Sequence, residues 1–153
     1  GTAFGMRLVY AQPRPQPALD ALGARHVPLD DLLAEADVVT LHAPLRPENW
    51  HLLDGPRLAR LKPTAILVNT ARGALVDEAA LVEALREGRI AAAGLDVYEH
   101  EPRLTPGLAD LPNVVLAPHL GSATHATRER MARMAAENIV AVLSGRQPVN
   151  PVN

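Results

Sequence analysis

Short aliphatic segments alternate with helical patterns along the chain, and this alternation constrains the fold more than any other feature. β-strands are predicted at Arg7–Ala11, Arg25–Val27, Asp37–His42, Ala65–Asn69, Ala91–Val97 and Asn113–Ala117. Helices are predicted at Ala18–Leu22, Leu29–Ala36, Asp54–Pro63, Glu78–Glu87 and Thr124–Leu143. Strands that alternate with helices form βαβ units around a mainly parallel sheet. The sequence therefore predicts a doubly wound α/β fold, and residues 1–153 are expected to form a single domain.

Several local signals support these elements. Asp54 and Asp77 are typical N-caps, while Gly88 is a typical helix stop. The run Ala65–Asn69 is apolar except for its last residue, which is expected of a strand covered on both faces. Gly94 is expected to allow close approach of another backbone.

Charge and composition exclude several classes of function. The chain carries 15 basic and 17 acidic side chains, a formal net charge of −2, so neither nucleic acid nor a membrane is expected as a partner. Cysteine is absent, which excludes disulfides, thiol catalysis and cysteine-based zinc sites and fits a cytoplasmic location. No metal site is predicted.

Polar residues follow four consecutive strands of the predicted sheet. They are His42, then Asn69, Thr70 and Arg72, then Asp96 and Glu101, and finally His119. Each residue alone has a plain structural interpretation, as a loop hydrogen-bonding group or a solvated charge. Because ligands bind at the carboxyl ends of the strands in such sheets, the residues taken together favour a site.

Four motifs give the chain a family resemblance. They are Leu41–Leu45 with Pro47-Glu48, Val68–Gly73 with Val76-Asp77, Gly94–Pro102, and Pro118–Thr124 running into Thr127–Met131. In this order and spacing they resemble the coenzyme-binding domain of the D-isomer-specific 2-hydroxyacid dehydrogenases. Among these, the glyoxylate/hydroxypyruvate reductases are the most similar and D-3-phosphoglycerate dehydrogenase is close.

The resemblance implies a reaction, a hydride transfer between NAD or NADP and a small 2-keto or 2-hydroxy acid. It implies that Arg72 binds the substrate carboxylate, that His119 is the general acid/base, and that Glu101 fixes the tautomer of His119. It further implies that Asp96 faces the nicotinamide amide. The remaining coenzyme contacts are expected from Arg72 and His119 themselves and from His42, Ala43, Pro44, Thr70, Ala71 and Gly121. The parent enzyme is expected to be a homodimer.

The sequence departs from the family pattern at its amino-terminal end. The Gly-x-Gly-x-x-Gly turn is not found, residues 1–6 resemble only the end of the helix that follows it, and the substrate domain is missing. We therefore expect a truncated Rossmann domain that is inactive by itself. The alternative is a non-catalytic α/β module, excised or engineered from the family for studies of folding.

Two finer expectations follow from these departures. The strand Arg7–Ala11 is followed by Gln12-Pro13-Arg14 rather than by an acid, so Arg14 is expected to contact the coenzyme and to favour NADP over NAD. Loss of the first family strand leaves a gap that is expected to close, pairing Arg7–Ala11 with Asp37–His42 in the flavodoxin-like order 2-1-3-4-5-6. The chain is then a monomer, whereas an open gap predicts a strand-exchanged dimer.

Overall fold

The computed structural model describes residues 1–151, and the last two residues of the chain, Val152 and Asn153, lie outside them. The strands are β1 (Val9–Tyr10), β2 (Arg25–His26), β3 (Val38–Leu41), β4 (Ile66–Asn69), β5 (Ala92–Leu95) and β6 (Val114–Leu116). The helices are α1 (Pro17–Asp20), α2 (Leu29–Glu35), α3 (Gly55–Leu58), α4 (Glu78–Arg86) and α5 (His125–Leu143). Short 3-10 turns lie at Thr2–Phe4, Pro47–Asn49, Gly73–Leu75 and Leu108–Asp110. A strand or helix lies in every predicted segment, but α3 ends at Leu58 rather than at Pro63, and β1 covers only Val9–Tyr10 of the predicted Arg7–Ala11.

The strands form two parallel sheets, which confirms the α/β class. β1 pairs with β2, and the second sheet has the order β3-β4-β5-β6. In that sheet Leu41 lies opposite Asn69 and Asn69 opposite Leu95, while Leu95 pairs with Leu116. The last residues of all four strands are therefore in register at one edge.

The predicted closure of the gap between β1 and β3 is wrong. No hydrogen-bonded ladder joins them in the described chain, so the continuous order 2-1-3-4-5-6 does not form. Helix α2 connects β2 to β3, packs against β1 and α3, and is tied to β2 by an ion pair of 2.6 Å between Arg25 and Glu35. Closing the gap requires sliding β1 and β2 by about one strand spacing, roughly 4.8 Å, and this movement breaks those contacts.

One face of the four-stranded sheet is buried under helices α2, α3 and α4. On this face Leu67 is fully buried with Leu33 of α2, Leu58 of α3 and Leu81 of α4. The opposite face is open, because Ile66 is 41% exposed and Val115 is 73% exposed. The expectation that both faces of the Ala65–Asn69 strand are covered is therefore wrong in this chain, and its burial alternates from residue to residue.

The predicted caps are confirmed, whereas the predicted glycine contact is not. Asp54 accepts a hydrogen bond from the Arg57 N–H, and Asp77 accepts one from the Ala80 N–H. A Cβ atom added at Gly94 would meet no atom within 4 Å, so close backbone approach does not explain this glycine. Gly94 lies on the open side of the sheet and is partly buried there.

The chain divides into two compact units, Gly1–Pro118 and the residues from His119 onward. The second unit consists mainly of α5, which begins after Thr124 as N-cap, and a tail that returns to the helix. The Asn150 N–H donates to Asn138 Oδ1 at 2.9 Å, which holds this tail against α5.

Candidate functional site

The polar residues that follow β3, β4 and β5 lie along one edge of the sheet. Because Leu41, Asn69 and Leu95 are in register, the chain continues from neighbouring points into His42, Thr70 and Asp96. The Asp96 N–H donates to the Asn69 carbonyl at 3.0 Å, so the pairing extends one residue beyond the strands. The structure thus brings together the first three groups of the predicted site.

The turn after β4 is shaped by the side chain of Asn69. This side chain is 1% exposed, donates to the Arg72 carbonyl at 2.9 Å and accepts from the Ala71 N–H at 3.1 Å. The Arg72 side chain is exposed, and one of its N–H groups donates to the Ala71 carbonyl at 2.6 Å. The turn therefore presents a guanidinium, a group suited to binding a carboxylate, at the edge of the sheet.

Gly73 joins this turn to the loop after β5. A Cβ atom at Gly73 would overlap the carbonyl group of Tyr98 and the amide nitrogen of Glu99. Only a residue without a side chain allows the two backbones to lie this close. The Arg72 turn and the loop that carries Glu101 are therefore fixed relative to each other.

The loop after β5 is organised around Tyr98. Its N–H donates to Glu101 Oε1 at 3.0 Å, which orients that carboxylate, and the Glu101-Pro102 peptide bond is cis. Its hydroxyl donates to the Ala117 carbonyl at 2.7 Å, directly beyond the end of β6. Burial, assisted by the neighbouring Asp96 carboxylate, raises the pKa of Tyr98 above its ordinary value.

Other predicted coenzyme residues lie on the loops after β3 and β1. His42 is exposed and its Nε2 lies 3.0 Å from the Thr40 hydroxyl. Ala43 packs partly against the core, and the Pro44 carbonyl accepts a hydrogen bond from the Asn49 side chain. Arg14 is exposed after β1, which belongs to the other sheet of the same unit.

His119 and Gly121 belong to the second unit. His119 is its first residue, is exposed, and has a φ of 55°, in the left-handed region that few residues other than glycine adopt. Gly121 is also exposed. Both residues precede α5 in the segment that leads from the end of β6 into that helix.

Sequence reasoning missed a cluster of polar residues beside the Glu101 loop. His51 Nε2 lies 2.9 Å from Glu99 Oε1, and Glu99 shares hydrogen bonds with Glu78, which is 2% exposed. The sequence places Glu78 only as the first residue of a predicted helix, and His51 and Glu99 are distant from it in sequence. The one sequence signal for this cluster is Asp77. As the N-cap of α4 it makes the next acid, Glu78, the first residue of that helix.

Within residues 1–151, none of the helices is long and apolar enough to cross a bilayer. In the same residues no group of three histidine, aspartate or glutamate side chains is placed to hold a metal ion.

Comparison with known proteins identifies the family. Residues 1–121 match the model of the D-isomer specific 2-hydroxyacid dehydrogenase NAD binding domain. Glyoxylate reductase of Aeropyrum pernix is 54% identical over 156 aligned positions, which cover 100% of this chain and 46% of the relative.

Solved structures agree with this match. The TT0316 protein from Thermus thermophilus is 56% identical with a TM-score of 0.90, over 99% of this chain and 48% of that one. An NADPH-dependent glyoxylate/hydroxypyruvate reductase from Sinorhizobium meliloti, solved with NADP and malonate, is 36% identical with a TM-score of 0.91 and similar coverage, 99% and 47%. The chain thus spans about half the length of these relatives. It belongs to the family of D-isomer-specific 2-hydroxyacid dehydrogenases, whose NAD-binding domain its residues 1–121 match.

Proposed function

We propose that this chain is the coenzyme-binding part of an enzyme that reduces a small 2-keto acid, of the glyoxylate or hydroxypyruvate type, with NAD(P)H. The observation that supports this most strongly is the convergence of Arg72, Asp96 and Glu101 on loops that follow adjacent strands. These loops are held together by Gly73, which packs directly on the Tyr98–Glu99 backbone. The names of the relatives, which are glyoxylate reductases, support the same substrate class.

Each proposed catalytic residue has a role that its chemistry allows. Arg72 binds the carboxylate of the keto acid through its planar guanidinium. His119 donates a proton to the carbonyl oxygen as that carbon is reduced, and removes it in the reverse direction. Glu101 accepts a hydrogen bond from His119 and so selects its tautomer.

The edge of the sheet fits a dinucleotide. Ala43 and Ala71 are small, Thr70 is exposed, and the Asp96 carboxylate, 8% exposed, offers an acceptor for a carboxamide. We assign coenzyme contacts to these residues, to Arg72 and His119, and to His42, Pro44 and Gly121. When bound, the nicotinamide coenzyme supplies the hydride, while the chain binds and orients the substrate and moves the proton.

We further propose a preference for NADP, based on Arg14. No acid lies between Tyr10 and Arg14, and Arg14 is exposed after β1. An acid after this strand binds the 2′-hydroxyl of NAD, whereas an arginine accommodates the 2′-phosphate of NADP. In a full-length enzyme, Arg14→Ala is expected to raise the KM for NADPH by about tenfold, through loss of a charge-assisted hydrogen bond. The KM for NADH should change less than about twofold, and equal changes for both coenzymes would contradict the preference.

The central experiment uses a hybrid enzyme, in which this chain replaces the matching segment of the Aeropyrum pernix glyoxylate reductase. The hybrid is expected to reduce glyoxylate, and His119→Ala should reduce kcat by about 100-fold or more, the usual contribution of a general acid. His125→Ala is the matched control, since His125 is another exposed histidine of the second unit. Near-full turnover by His119→Ala would overturn the assignment. An inactive hybrid that still folds would favour a non-catalytic module.

A further inference from the structure

The carboxylate of Glu78 is buried without a cationic partner. Glu78 is the first residue of α4 and is 2% exposed. Over the described chain, no lysine or arginine forms an ion pair with it, and all of its polar contacts are hydrogen bonds. A buried carboxylate is costly unless hydrogen bonds compensate for the lost solvation. The contacts that compensate it therefore indicate what it does.

Both oxygens of Glu78 bind one loop. Oε1 accepts from the Glu99 N–H and Oε2 accepts from the Thr105 hydroxyl, each at 2.7 Å. The Glu78 N–H in turn lies 3.4 Å from Glu99 Oε2, so the two glutamates hold each other. The location at the start of a helix also favours a negative charge. Glu78 thus closes the two ends of the segment from Glu99 to Thr105.

The segment closed by Glu78 carries Glu101. The Glu101 carboxylate accepts from the Tyr98 N–H at 3.0 Å, so its direction depends on the backbone immediately before Glu99. That backbone has no freedom to relax towards the Arg72 turn, because Gly73 already lies against it. A shift of the Glu99 amide is therefore transmitted to Glu101.

The side chain of Glu99 is held by a further contact, with His51. The ring of His51 has its Nε2 2.9 Å from Glu99 Oε1 and its Nδ1 3.9 Å from Asp77 Oδ2. The backbone N–H of His51 donates to the Ala74 carbonyl. The exposed His100 lies farther away, with its Nε2 3.8 Å from Glu99 Oε1. These groups fix the Glu99 side chain, whereas Glu78 alone binds both the Glu99 amide and Thr105.

We propose that Glu78 is a positioning residue for the reaction, acting through Glu101. The inference rests on the proposed function, because it takes Glu101 as the group that orients His119. Glu78 touches neither substrate nor coenzyme in this role. It fixes the loop on which the Glu101 carboxylate is presented.

The test uses the hybrid enzyme and four variants. Glu78→Ala is expected to lower kcat for glyoxylate by about 10- to 100-fold, the cost of small misplacement of a catalytic group. Its pH–rate profile should be displaced in the same direction as that of Glu101→Gln. The Kd for coenzyme should stay within about twofold of the parent, since the side-chain hydrogen bonds of Glu78 go to Glu99 and Thr105 and not to the residues assigned to the coenzyme. Glu78→Gln can still accept from the Glu99 N–H and should recover most of the lost kcat. Glu83→Ala, an exposed acid on the same helix, should behave as the parent.

The outcomes separate this inference from the proposed function. A parent-like pH–rate profile and kcat in Glu101→Gln would overturn the role proposed for Glu101, and with it the inference for Glu78, while an inactive hybrid or a fully active His119→Ala would overturn the proposed function. A slow Glu101→Gln together with a parent-like Glu78→Ala would overturn only the role of Glu78. A slow Glu78→Ala with an unchanged profile would reduce Glu78 to a structural residue and also overturn the inference.

A milder variant covers the case in which Glu78→Ala does not fold. Thr105→Val removes the hydroxyl that donates to Glu78 and keeps the size of the side chain. It should lower kcat by about fivefold, which corresponds to the free energy of one ordinary hydrogen bond. Its pH–rate profile should be displaced in the same direction as that of Glu78→Ala. An unchanged kcat and profile in this variant would contradict the inference.

Discussion

A pair of glycine substitutions tests how the two loops of the site are held together. In Gly73→Ala the new methyl group would overlap the Tyr98 carbonyl and the Glu99 amide, which are backbone groups and cannot turn aside. In Gly94→Ala the methyl group would meet no atom within 4 Å, and Gly94 does not have a positive φ. The same chemical change is therefore expected to have opposite effects at the two positions.

The magnitudes follow from the surroundings of each glycine. Inserting a methyl group into a packed site costs about 1–3 kcal/mol, and the upper end is expected at Gly73 because backbone must move. A loss of about 3 kcal/mol corresponds to about 150-fold in the folding equilibrium constant. Gly94→Ala should instead stabilise the chain by about 0.5–1 kcal/mol, since alanine loses less conformational entropy than glycine in a strand.

Urea unfolding measures both effects. Trp50 is the single tryptophan of the chain, lies in the first unit and stacks on His51 with ring centroids 5.2 Å apart, so its fluorescence reports on that unit. With a slope of about 2 kcal/mol/M, the midpoint of Gly73→Ala should fall by about 1.5 M and that of Gly94→Ala should rise by about 0.3–0.5 M. A midpoint for Gly73→Ala within about 0.2 M of the wild type would refute the reasoning, because no clash could then exist.

Three further perturbations probe the sheet and its charges. Leu67→Ala should lower the free energy of unfolding in urea by about 2–5 kcal/mol. Ile66→Ala, on the open face, should lower it by about half as much or less. Equal losses of stability would show that both faces of the sheet are covered. The Lys62 ammonium lies 2.8 Å from the Asp37 carboxylate and lowers the pKa of that carboxyl below 3.8. The contribution of this ion pair to folding stability is therefore present above pH 3.8 and is lost as the pH falls through the lowered pKa of Asp37. The stability difference between the wild type and Asp37→Asn should therefore vanish in acid, and a constant difference would contradict this. The pKa of Tyr98 is raised in the folded chain, so its contribution to stability is fully present below pH 10, the ordinary pKa, and is lost as the pH rises through the raised pKa. Tyr98→Phe should therefore reduce the loss of stability at alkaline pH. An unchanged loss would exclude Tyr98 as its source.

The starts of the helices could be predicted because they depend on local signals, whereas the predicted end of α3 at Pro63 is wrong. Asp77 caps α4 by accepting a hydrogen bond only three residues ahead, and α5 begins one residue after Thr124 for the same reason. Residues that follow adjacent strands could likewise be placed at one edge, because a parallel sheet aligns its carboxyl ends. This is why the sequence places Arg72 and Asp96 at the same edge, as the register of β4 and β5 has them.

The strand pairing and the glycine contacts could not be predicted in this way, because they depend on distant parts of the chain. The separation between β1 and β3 is set by how α2 packs on β1 and α3, which no local pattern encodes. Gly73 follows β4 and Gly94 lies within β5, and only the tertiary structure shows which of them meets a backbone. Glu78 was missed for the same reason, since its partners Glu99 and Thr105 are distant in sequence.

The loops of the candidate site are organised by the chain itself. Residues Leu53 and Val76 pair in an isolated bridge, which ties the segment after β3 to the segment after β4. Gly73 ties the latter to the loop after β5, and the Tyr98 hydroxyl ties that loop to Ala117 at the end of β6. Every loop at this edge of the first unit is thus bound to its neighbour by backbone or buried contacts. A ligand that binds there need not spend interaction energy on ordering these loops, since the contacts that order them are already made.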